Sequence, residues 1–317
     1  MATLKDIARA TGFSTITVSR VINDPEKVRP ETREIIQAEI ERVNFRPNVL
    51  ARALVQRRTN IIFVYIPSGL KPNDLFFMNV VSGIAEYLGE QGYSLLIKRT
   101  WYNNEDCDGC IFMGLSPEQE IEVAKLAKNK PVCVFGYAKD VMSIDIDNYA
   151  GLYKITRRVL ERGFSNIVYV GINQDQRFVY DREKGFIDAV KEFRPDAKAK
   201  NLKVANNDDD AYHITNELLI ETREPQAFIC ASDDIAIGVM RALKHHGLKV
   251  PKDVVVTGFD GLGTDEVAYP HLTTVRQPLY EAGRELASHI IELIKRKNEG
   301  PYEYILIQPR LVVRDTF

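Results

Sequence analysis

Apolar side chains recur at helical spacing in two short stretches near the N-terminus. Leu4, Ile7 and Ala8 fall on one face, which predicts a first helix, and Gly12 ends it. Ser14 can cap a second helix over Thr15–Asn23. One face of this second helix carries Val18, Val21 and Ile22, and the other carries Ile16, Ser19, Arg20 and Asn23. The second helix is therefore predicted to bury one face and to expose an isoleucine on the other.

A third and longer helix is predicted to begin near Pro30, with Ile36 and Ile40 on its inner side. Two short helices joined by a glycine turn and braced by a third helix are typical of the helix-turn-helix motif. The second helix of that motif fits the major groove of DNA, where Arg20 can donate to guanine and Ile16 can contact a thymine methyl group. The alternative is a three-helix domain that binds a protein or no partner.

Beyond residue 60, short apolar runs alternate with amphipathic stretches. The runs lie at 61–66, 131–135, 167–170, 228–231 and 254–257. Runs of this length are typical of buried parallel strands, and the stretches between them have helical spacing. Such a β-α-β series predicts doubly wound parallel sheets, and the 257 residues after residue 60 are enough for two subdomains.

One connection in this series is short. Only eleven residues, 99–109, separate the strand predicted at 93–98 from the strand predicted at 110–113. A parallel crossover usually needs about a dozen residues or more, and it usually contains a helix. The chain is therefore predicted to lack a helix at this point.

Charge is uneven along the chain, although its formal net charge is only −2. Residues 1–60 contain 11 basic and 7 acidic side chains, which leaves +4 on this segment and −6 on the remainder. A basic module joined to an acidic one favours a first segment that binds a polyanion, and the alternative is a fluctuation of surface charge, which charge alone does not exclude. A hydrophobic content of 45% excludes a mainly disordered chain, and no apolar run approaches the roughly 20 residues of a membrane span.

The N-terminus lacks the features of a secretory signal, so a cytoplasmic location is predicted. Cys107 and Cys110 have the spacing of a metal or redox pair, but no second pair follows, and this spacing is interpreted as coincidental. The sequence contains no nucleophile elbow, phosphate-binding loop or zinc-protease motif. The chain is therefore predicted to be no enzyme, with no cofactor, no catalytic residue and no metal site.

Specific strings extend this interpretation. The N-terminal region contains LKDIARATGFSTITVSRVIN, RPETREII and NFRPNVLARAL, and the remainder contains DREKGFIDAV, ASDDIAIGVMRALKHHGLKVPKDVVVTGFDG and PHLTTVRQP. These strings resemble the lactose-repressor/galactose-repressor (LacI/GalR) family of bacterial transcription regulators. The resemblance implies an α/β protein with an N-terminal helix-turn-helix head. A two-lobed core follows, which is periplasmic-binding-protein-like and has doubly wound parallel sheets.

The resemblance also implies domain boundaries and a DNA-binding set. The helix-turn-helix domain spans 1–47, the hinge helix and linker 48–59, the first lobe 60–153 with 279–300, and the second lobe 154–278 with 301–317. By resemblance, Leu54 would insert between base steps in the minor groove and Ala51 would allow close packing there. From the residues alone, the alternative is a basic linker. The predicted DNA-binding set is Thr3, Ser14, Thr15, Ile16, Thr17, Arg20, Asn23, Arg29, Asn48, Ala51 and Leu54.

Ligands of open α/β sheets bind outside the carboxyl ends of the strands. The loops predicted there supply the effector-binding set, which is Asn73, Phe76, Phe77, Asp147, Arg182, Asp233, Asp260 and Gln277. Carboxylates and a guanidinium can each bridge two hydroxyls, and an aromatic ring covers the apolar face of a sugar. By resemblance, Phe77, Asp147, Arg182, Asp260 and Gln277 are effector contacts, and Asp233 stands where the family more often has Asn. The alternative for each side chain is loop capping or a surface ion pair.

Together these features predict a sequence-specific transcriptional regulator that represses carbohydrate-utilisation genes. It is expected to bind double-stranded operator DNA as a homodimer, to respond to a small sugar or sugar phosphate between the lobes, and to have no membrane partner. A protein corepressor is a further possible partner. Three alternatives stay open: a cytoplasmic sugar-binding protein without DNA function, a regulator with a non-sugar effector such as a nucleobase, and a Rossmann-like enzyme.

Overall fold

The computed structural model describes residues 3–45, 58–67, 74–100, 106–222 and 224–317, except for the side chain of Asn23. The chain divides into two compact units, Met1–Thr59 and Asn60–Phe317, which we call the head and the body. The predicted DNA contacts Asn48, Ala51 and Leu54 and the predicted effector contact Asn73 lie outside the described residues.

The described part of the head contains three α-helices, α1 (Leu4–Thr11), α2 (Thr15–Asn23) and α3 (Pro30–Arg42), and one turn of 3-10 helix at Pro25–Lys27. Thr3 and Asp6 form a reciprocal capping box at the start of α1. The Ser14 hydroxyl accepts a hydrogen bond from the backbone N–H of Thr17 (3.1 Å) at the start of α2. Gly12 has φ +76°, a left-handed conformation that glycine adopts without strain. The predicted Ser14 cap and the predicted turn at Gly12 are thus confirmed.

The core of the head comes from the apolar helix faces that the sequence pattern predicts. Val18, Val21 and Ile36 are buried in this core, and Ile40 packs against it. Ile16 points the other way and is 65% exposed. The inner and outer faces of α2 are therefore as predicted, and the three helices have the helix-turn-helix arrangement.

The body alternates strands and helices. In chain order its elements are β1 (Ile61–Tyr65), α4 (Leu75–Glu90), β2 (Ser94–Lys98), β3 (Gly109–Met113), α5 (Pro117–Ala127), β4 (Val132–Phe135), β5 (Met142–Ile146), α6 (Asn148–Glu161), β6 (Asn166–Ile172), α7 (Arg177–Phe193), β7 (Lys198–Val204), α8 (Asp208–Glu221), β8 (Ala227–Cys230), α9 (Asp233–His245), β9 (Val255–Asp260), α10 (Thr264–Val267), β10 (Thr273–Arg276), α11 (Leu279–Lys295), β11 (Tyr304–Ile307) and β12 (Arg310–Val312). The strands form two six-stranded sheets, one in each lobe. Within the described ranges, no helix has the length and apolar character needed to cross a membrane.

The first lobe is built on the parallel sheet β11-β5-β4-β3-β1-β2. Helices α4 and α11 contribute to the apolar cluster on one face, which includes Ile84 and Ile290, and α5 contributes to the cluster on the other. The two helices α4 and α11 approach closely at Gly83 and Gly283. A Cβ atom at Gly83 would lie 2.0 Å from the carbonyl oxygen of Tyr280, so a larger residue would push the helices apart.

The second lobe is built on the sheet β7-β6-β8-β9-β10-β12, in which β12 is antiparallel to β10 and the other pairs are parallel. Helix α6 packs along α7, and α8 packs along α9. One apolar core fills this lobe, and in it the rings of Tyr169 and Phe186 stack with centroids 4.9 Å apart. The prediction of two doubly wound sheets is confirmed.

Strand pairing and helix packing each move one of the predicted lobe boundaries. The sequence boundaries place 301–317 in the second lobe, but β11 pairs with β5 in the first sheet. They also place 148–153 in the first lobe, but α6 begins at Asn148 and packs Leu152 into the core of the second lobe. The partner of a strand lies far away in the chain, so a local pattern does not assign it to a sheet.

The short connection between β2 and β3 contains no helix among its described residues, 99–100 and 106–108. The strands that it joins lie within one residue of their predicted bounds. Strand β2 forms the edge of the first sheet beside β1, and Leu96 and Ile97 on it are 44% and 46% exposed. This edge of the first lobe therefore keeps an exposed apolar surface.

Candidate functional site

The outer face of α2 is the candidate DNA-binding surface of the head. Thr15, Ile16 and Arg20 are exposed there, although the side chain of Ile16 is apolar. A guanidinium can donate two hydrogen bonds to guanine, and aliphatic carbons can contact thymine methyl groups. This combination on one side of a short helix suits contact with base edges in the major groove.

Four other predicted DNA contacts lie at the helix starts of the head. Thr3 forms the capping box with Asp6, and the hydroxyls of Ser14 and Thr17 lie 2.9 Å apart at the first turn of α2. Arg29 is exposed at the N-cap position of α3. Backbone N–H groups at the start of a helix suit a phosphate. Direct contact of these four side chains with DNA stays a prediction.

Arg182 lies at the centre of the candidate effector site in the body, and it is only 4% exposed. Its Nε donates to Asn148 Oδ1 (2.9 Å), and its Nη1 donates to the carbonyl oxygen of Ala231 (2.6 Å). Its guanidinium carbon lies 3.8 Å from the centroid of the Phe259 ring, and its Nη2 lies 3.5 Å from Asp260 Oδ1. These contacts fix the orientation of the guanidinium before any ligand arrives.

Two carboxylates lie near this guanidinium at the carboxyl end of the second sheet. Asp260 ends β9 and accepts a hydrogen bond from Gln277 Nε2 (2.6 Å), and Asp233 begins α9 and accepts one from Thr274 Oγ1 (2.6 Å). Burial raises the pKa of Asp260 to about 6, although the charge of Arg182 lowers it. Burial, followed by the charge of Asp260, raises the pKa of Asp233 well above its usual range. Both shifts favour the protonated carboxyls, and the ionised form of Asp260 lies directly beside the cation of Arg182.

Asp260 also has an unusual backbone conformation. Its φ is +129°, which residues other than glycine rarely adopt. The pairing of β9 with β10 and a hydrogen bond from the Gln277 N–H to the Asp260 carbonyl (3.0 Å) hold the residue in place. Strained residues of this kind concentrate at binding sites, where the surrounding structure maintains them.

The first lobe faces this cluster with the start of α4. Asp74 caps α4 by accepting a hydrogen bond from the Phe76 N–H (3.0 Å), and the charge of Asp74 contributes to the raised pKa of Asp260. The rings of Phe76 and Phe77 are half-buried, with centroids 5.2 Å apart. Leu262, just after Asp260, packs on the same apolar cluster as the two rings. Aromatic groups of the first lobe and charged groups of the second thus lie at one cleft.

Asp147, a predicted effector contact, caps a helix in this structure. Its Oδ1 accepts a hydrogen bond from the Ala150 N–H (2.8 Å), and its Oδ2 accepts one from Gln308 Nε2 (2.7 Å). The carboxylate therefore caps α6 and ties it to the segment between β11 and β12. Contact of Asp147 with an effector stays a prediction, as it does for the rest of the set.

Two buried polar residues near the cleft are absent from the predicted set. Asn148 is 3% exposed and holds Arg182. Asp145 on β5 is 7% exposed, and burial raises its pKa to about 7, although Arg182 and Arg177 lower it. A signal for Asp145 exists in the sequence, because it is a carboxylate within an apolar run that predicts a buried strand. A buried charge needs a partner, and such residues concentrate at functional sites.

Comparison with known proteins follows the same division of the chain. Residues 3–48 match the family model of bacterial regulatory proteins of the lacI family, and residues 156–317 match that of a periplasmic binding protein-like domain. The HTH-type transcriptional regulator YvdE of Bacillus subtilis is 37% identical over 321 residues, covering 100% of this chain and 99% of the relative. The chain belongs to the LacI family.

Solved structures of the LacI family share this fold along the whole chain. A complex of the transcriptional regulator CelR with cellobiose has a TM-score of 0.71 and 25% identity, and the match covers 100% of both chains. The lac repressor dimer bound to operator and the anti-inducer ONPF has a TM-score of 0.80 and 23% identity, covering 99% of this chain and 98% of that chain. This LacI-family member is a DNA-binding transcriptional regulator, and its relatives are regulators rather than enzymes.

Proposed function

We propose that this LacI-family member is a repressor of carbohydrate-utilisation genes. A homodimer binds a near-palindromic operator, and each head contacts one half-site with the outer face of α2. The exposed side chains of Thr15, Ile16 and Arg20 support this contact. A small sugar or sugar phosphate binds between the lobes of the body and changes the affinity for the operator.

The observation that carries the effector proposal is the buried cluster around Arg182. The guanidinium is held against Phe259 and beside Asp260, which suits the bridging of two neighbouring hydroxyls of a polyol. The ring of Phe77 on the facing lobe can cover the apolar face of a sugar. A carbohydrate, cellobiose, is also the ligand in the solved complex of the relative CelR.

The charges around the cluster favour a neutral sugar over a sugar phosphate. Arg182 lies beside Asp260, and its charge also acts on Asp145. A third carboxyl, Asp233, accepts two hydrogen bonds nearby. A phosphate would add negative charge to this set, and phosphate sites usually offer uncompensated arginines or lysines instead.

Effector and operator are coupled only if the effector binds two states of the body with unequal affinity. We expect the sugar to stabilise the state in which the two lobes close on it. This closure lowers the affinity of the repressor for DNA, and the repressor then releases its operator.

A thermal-shift screen on the full-length protein tests this proposal with neutral sugars, sugar phosphates and nucleobases. At a concentration 100-fold above its Kd, a true effector stabilises the protein by about 2.7 kcal/mol. We expect a neutral sugar to raise the Tm and Asp260→Asn to abolish the shift. Asp196→Asn removes an exposed carboxylate that pairs with Arg194, so it should leave the shift unchanged. A shift by nucleobases alone would overturn the sugar proposal, and failure to retard the regulator's own promoter DNA in a gel would overturn the operator proposal.

A further inference from the structure

Cys107 and Cys110 bring two thiols together at the amino end of β3, the opposite end of the sheet from the effector cleft. Their Sγ atoms lie 3.5 Å apart, and Lys130 Nζ lies 3.4 Å from Cys107 Sγ. Cys107 is partly exposed, whereas Cys110 is buried. The spacing of the two residues is a weak signal in the sequence, but the geometry joins them into a dithiol with a cation beside its accessible member.

The surroundings of Cys107 favour its thiolate form. The Cys110 thiol, followed by the charge of Lys130, lowers the pKa of Cys107 to about 7, although burial opposes this. Burial raises the pKa of both Cys133 and Cys230. Cys107 is therefore the cysteine that ionises most readily near neutral pH, while Cys133 and Cys230 stay as unreactive thiols.

We propose that Cys107 and Cys110 form a redox-reactive dithiol that hydrogen peroxide converts into an intramolecular disulfide. The Cys107 thiolate attacks a peroxide oxygen, so that an S–O bond forms, the O–O bond breaks, and the released hydroxide takes up a proton to become water. The Cys110 sulfur then attacks the sulfenic sulfur of Cys107. The S–S bond forms, the S–O bond breaks, and the Cys110 proton leaves with the hydroxide as a second water. Two electrons pass from the two thiols to the peroxide.

The fold allows this bond with little movement. A disulfide has an S–S length of about 2.05 Å, so the two sulfurs must approach by about 1.5 Å. Cys110 is fixed in β3, where it pairs with Phe63 of β1 and Val132 of β4. Cys107 lies in the connection that precedes β3, so Cys107 is the residue that moves.

The surroundings of Cys107 and Cys110 suit a metal ion less well than they suit a redox-reactive dithiol. Among the residues that the structure describes, no group of three or more His, Cys, Asp and Glu side chains is placed to hold a metal. Structural zinc sites use four such ligands. The ammonium of Lys130 beside Cys107 Sγ also repels a cation and attracts a thiolate.

Mass spectrometry of the full-length protein tests the proposal. The protein is reduced, freed of reductant, treated with hydrogen peroxide at pH 7 and digested with trypsin. We expect the peptide containing Cys107 and Cys110 to lose two hydrogen atoms and to regain them with dithiothreitol, while Cys133 and Cys230 stay reduced. Cys110→Ser should leave Cys107 as a sulfenic acid that dimedone captures. Absence of the disulfide, or equal oxidation of Cys133, would overturn the proposal.

The role of Lys130 has its own readout. In Lys130→Gln, the rate of Cys107 alkylation by iodoacetamide at pH 7 should fall by about five-fold, because a rise of about one unit in the pKa reduces the thiolate fraction by that factor. The pH midpoint of alkylation should rise accordingly. Lys128→Gln removes an exposed lysine two residues away and should leave both quantities unchanged. Equal effects of the two substitutions would contradict a specific role for Lys130.

Discussion

The head and the cleft of the body use polar side chains in opposite ways. On α2, Arg20 is exposed beside an exposed isoleucine, Ile16, so its charge is screened by salt and its loss leaves no buried partner. In the cleft, Arg182 is buried and holds Asn148 and Asp260. Removing it would leave buried polar groups without a partner. Substitutions of exposed side chains on α2 should therefore change DNA binding alone, and substitutions in the cleft should change stability as well.

The largest effect is expected for Arg182→Met. This substitution leaves the largely buried carboxylate of Asp260 without its cation, and breaking a buried ion pair in this way typically lowers the free energy of unfolding by about 3–5 kcal/mol. Urea denaturation measures the loss. Arg157→Met is the matched control, because Arg157 is exposed in an ion pair with Glu161 and its removal should change little. Equal effects of the two substitutions would remove the contrast between buried and exposed charges.

A pH dependence is expected from Asp145. Burial raises its pKa to about 7 in the folded state, so the folded state holds the proton more tightly than the unfolded state. The stability that this group contributes is present below about pH 4 and is lost as the pH rises to about 7. When the pH rises from 5 to 7.5, the unfolding free energy of Asp145→Asn should therefore fall by about 2 kcal/mol less than that of the wild type. Urea titrations at the two pH values measure this, and parallel changes in wild type and variant would contradict it.

Arg20→Met should weaken specific operator binding by about ten-fold or more, because a guanidinium that contacts guanine contributes discrimination. The unfolding free energy should stay unchanged. Arg42→Met removes an equal charge from the head at a residue that pairs with Glu39. Fluorescence anisotropy with operator and scrambled DNA should therefore show a loss of discrimination for Arg20→Met only. The same loss in both variants would indicate a general charge effect.

The smallest effect is expected for Ile16→Ala. Losing the burial of about one methylene against a thymine methyl costs about 0.8 kcal/mol, or about a four-fold loss of operator affinity. Stability should not change, since Ile16 is exposed. Val18→Ala on the opposite face removes a fully buried side chain and should destabilise the head. Thermal unfolding separates the two variants, and destabilisation by Ile16→Ala would contradict the assigned faces.

The head could be predicted from the sequence more fully than the cleft. Periodicity is local, and it distinguishes Val18 from Ile16 because the two occupy different faces of one helix. The cleft depends on contacts between distant segments, such as Arg182 with Asn148 and Asp260 with Gln277. Because ligands of open α/β sheets bind at the carboxyl ends of the strands, several of these residues could be predicted to lie there. No local sequence pattern predicts which of them contact each other.

The same limit applies to the edges of the lobes and to the cysteines. β11 joins the first sheet through β5, which lies more than 150 residues earlier in the chain. The distance between the two thiols likewise depends on how the chain enters β3, and their reactivity depends on Lys130. The spacing of the two cysteines in the sequence predicts neither the distance between the thiols nor their reactivity.

The most direct test of this account is an operator titration of the full-length protein with and without the sugar identified by thermal shift. If the cleft controls the head, the sugar should change the operator Kd of the wild-type protein by at least about five-fold, which is the lower end of allosteric coupling. It should have no effect on Asp260→Asn and an unchanged effect on Asp196→Asn. A sugar that raises the Tm but leaves the wild-type operator titration superimposable would contradict the account.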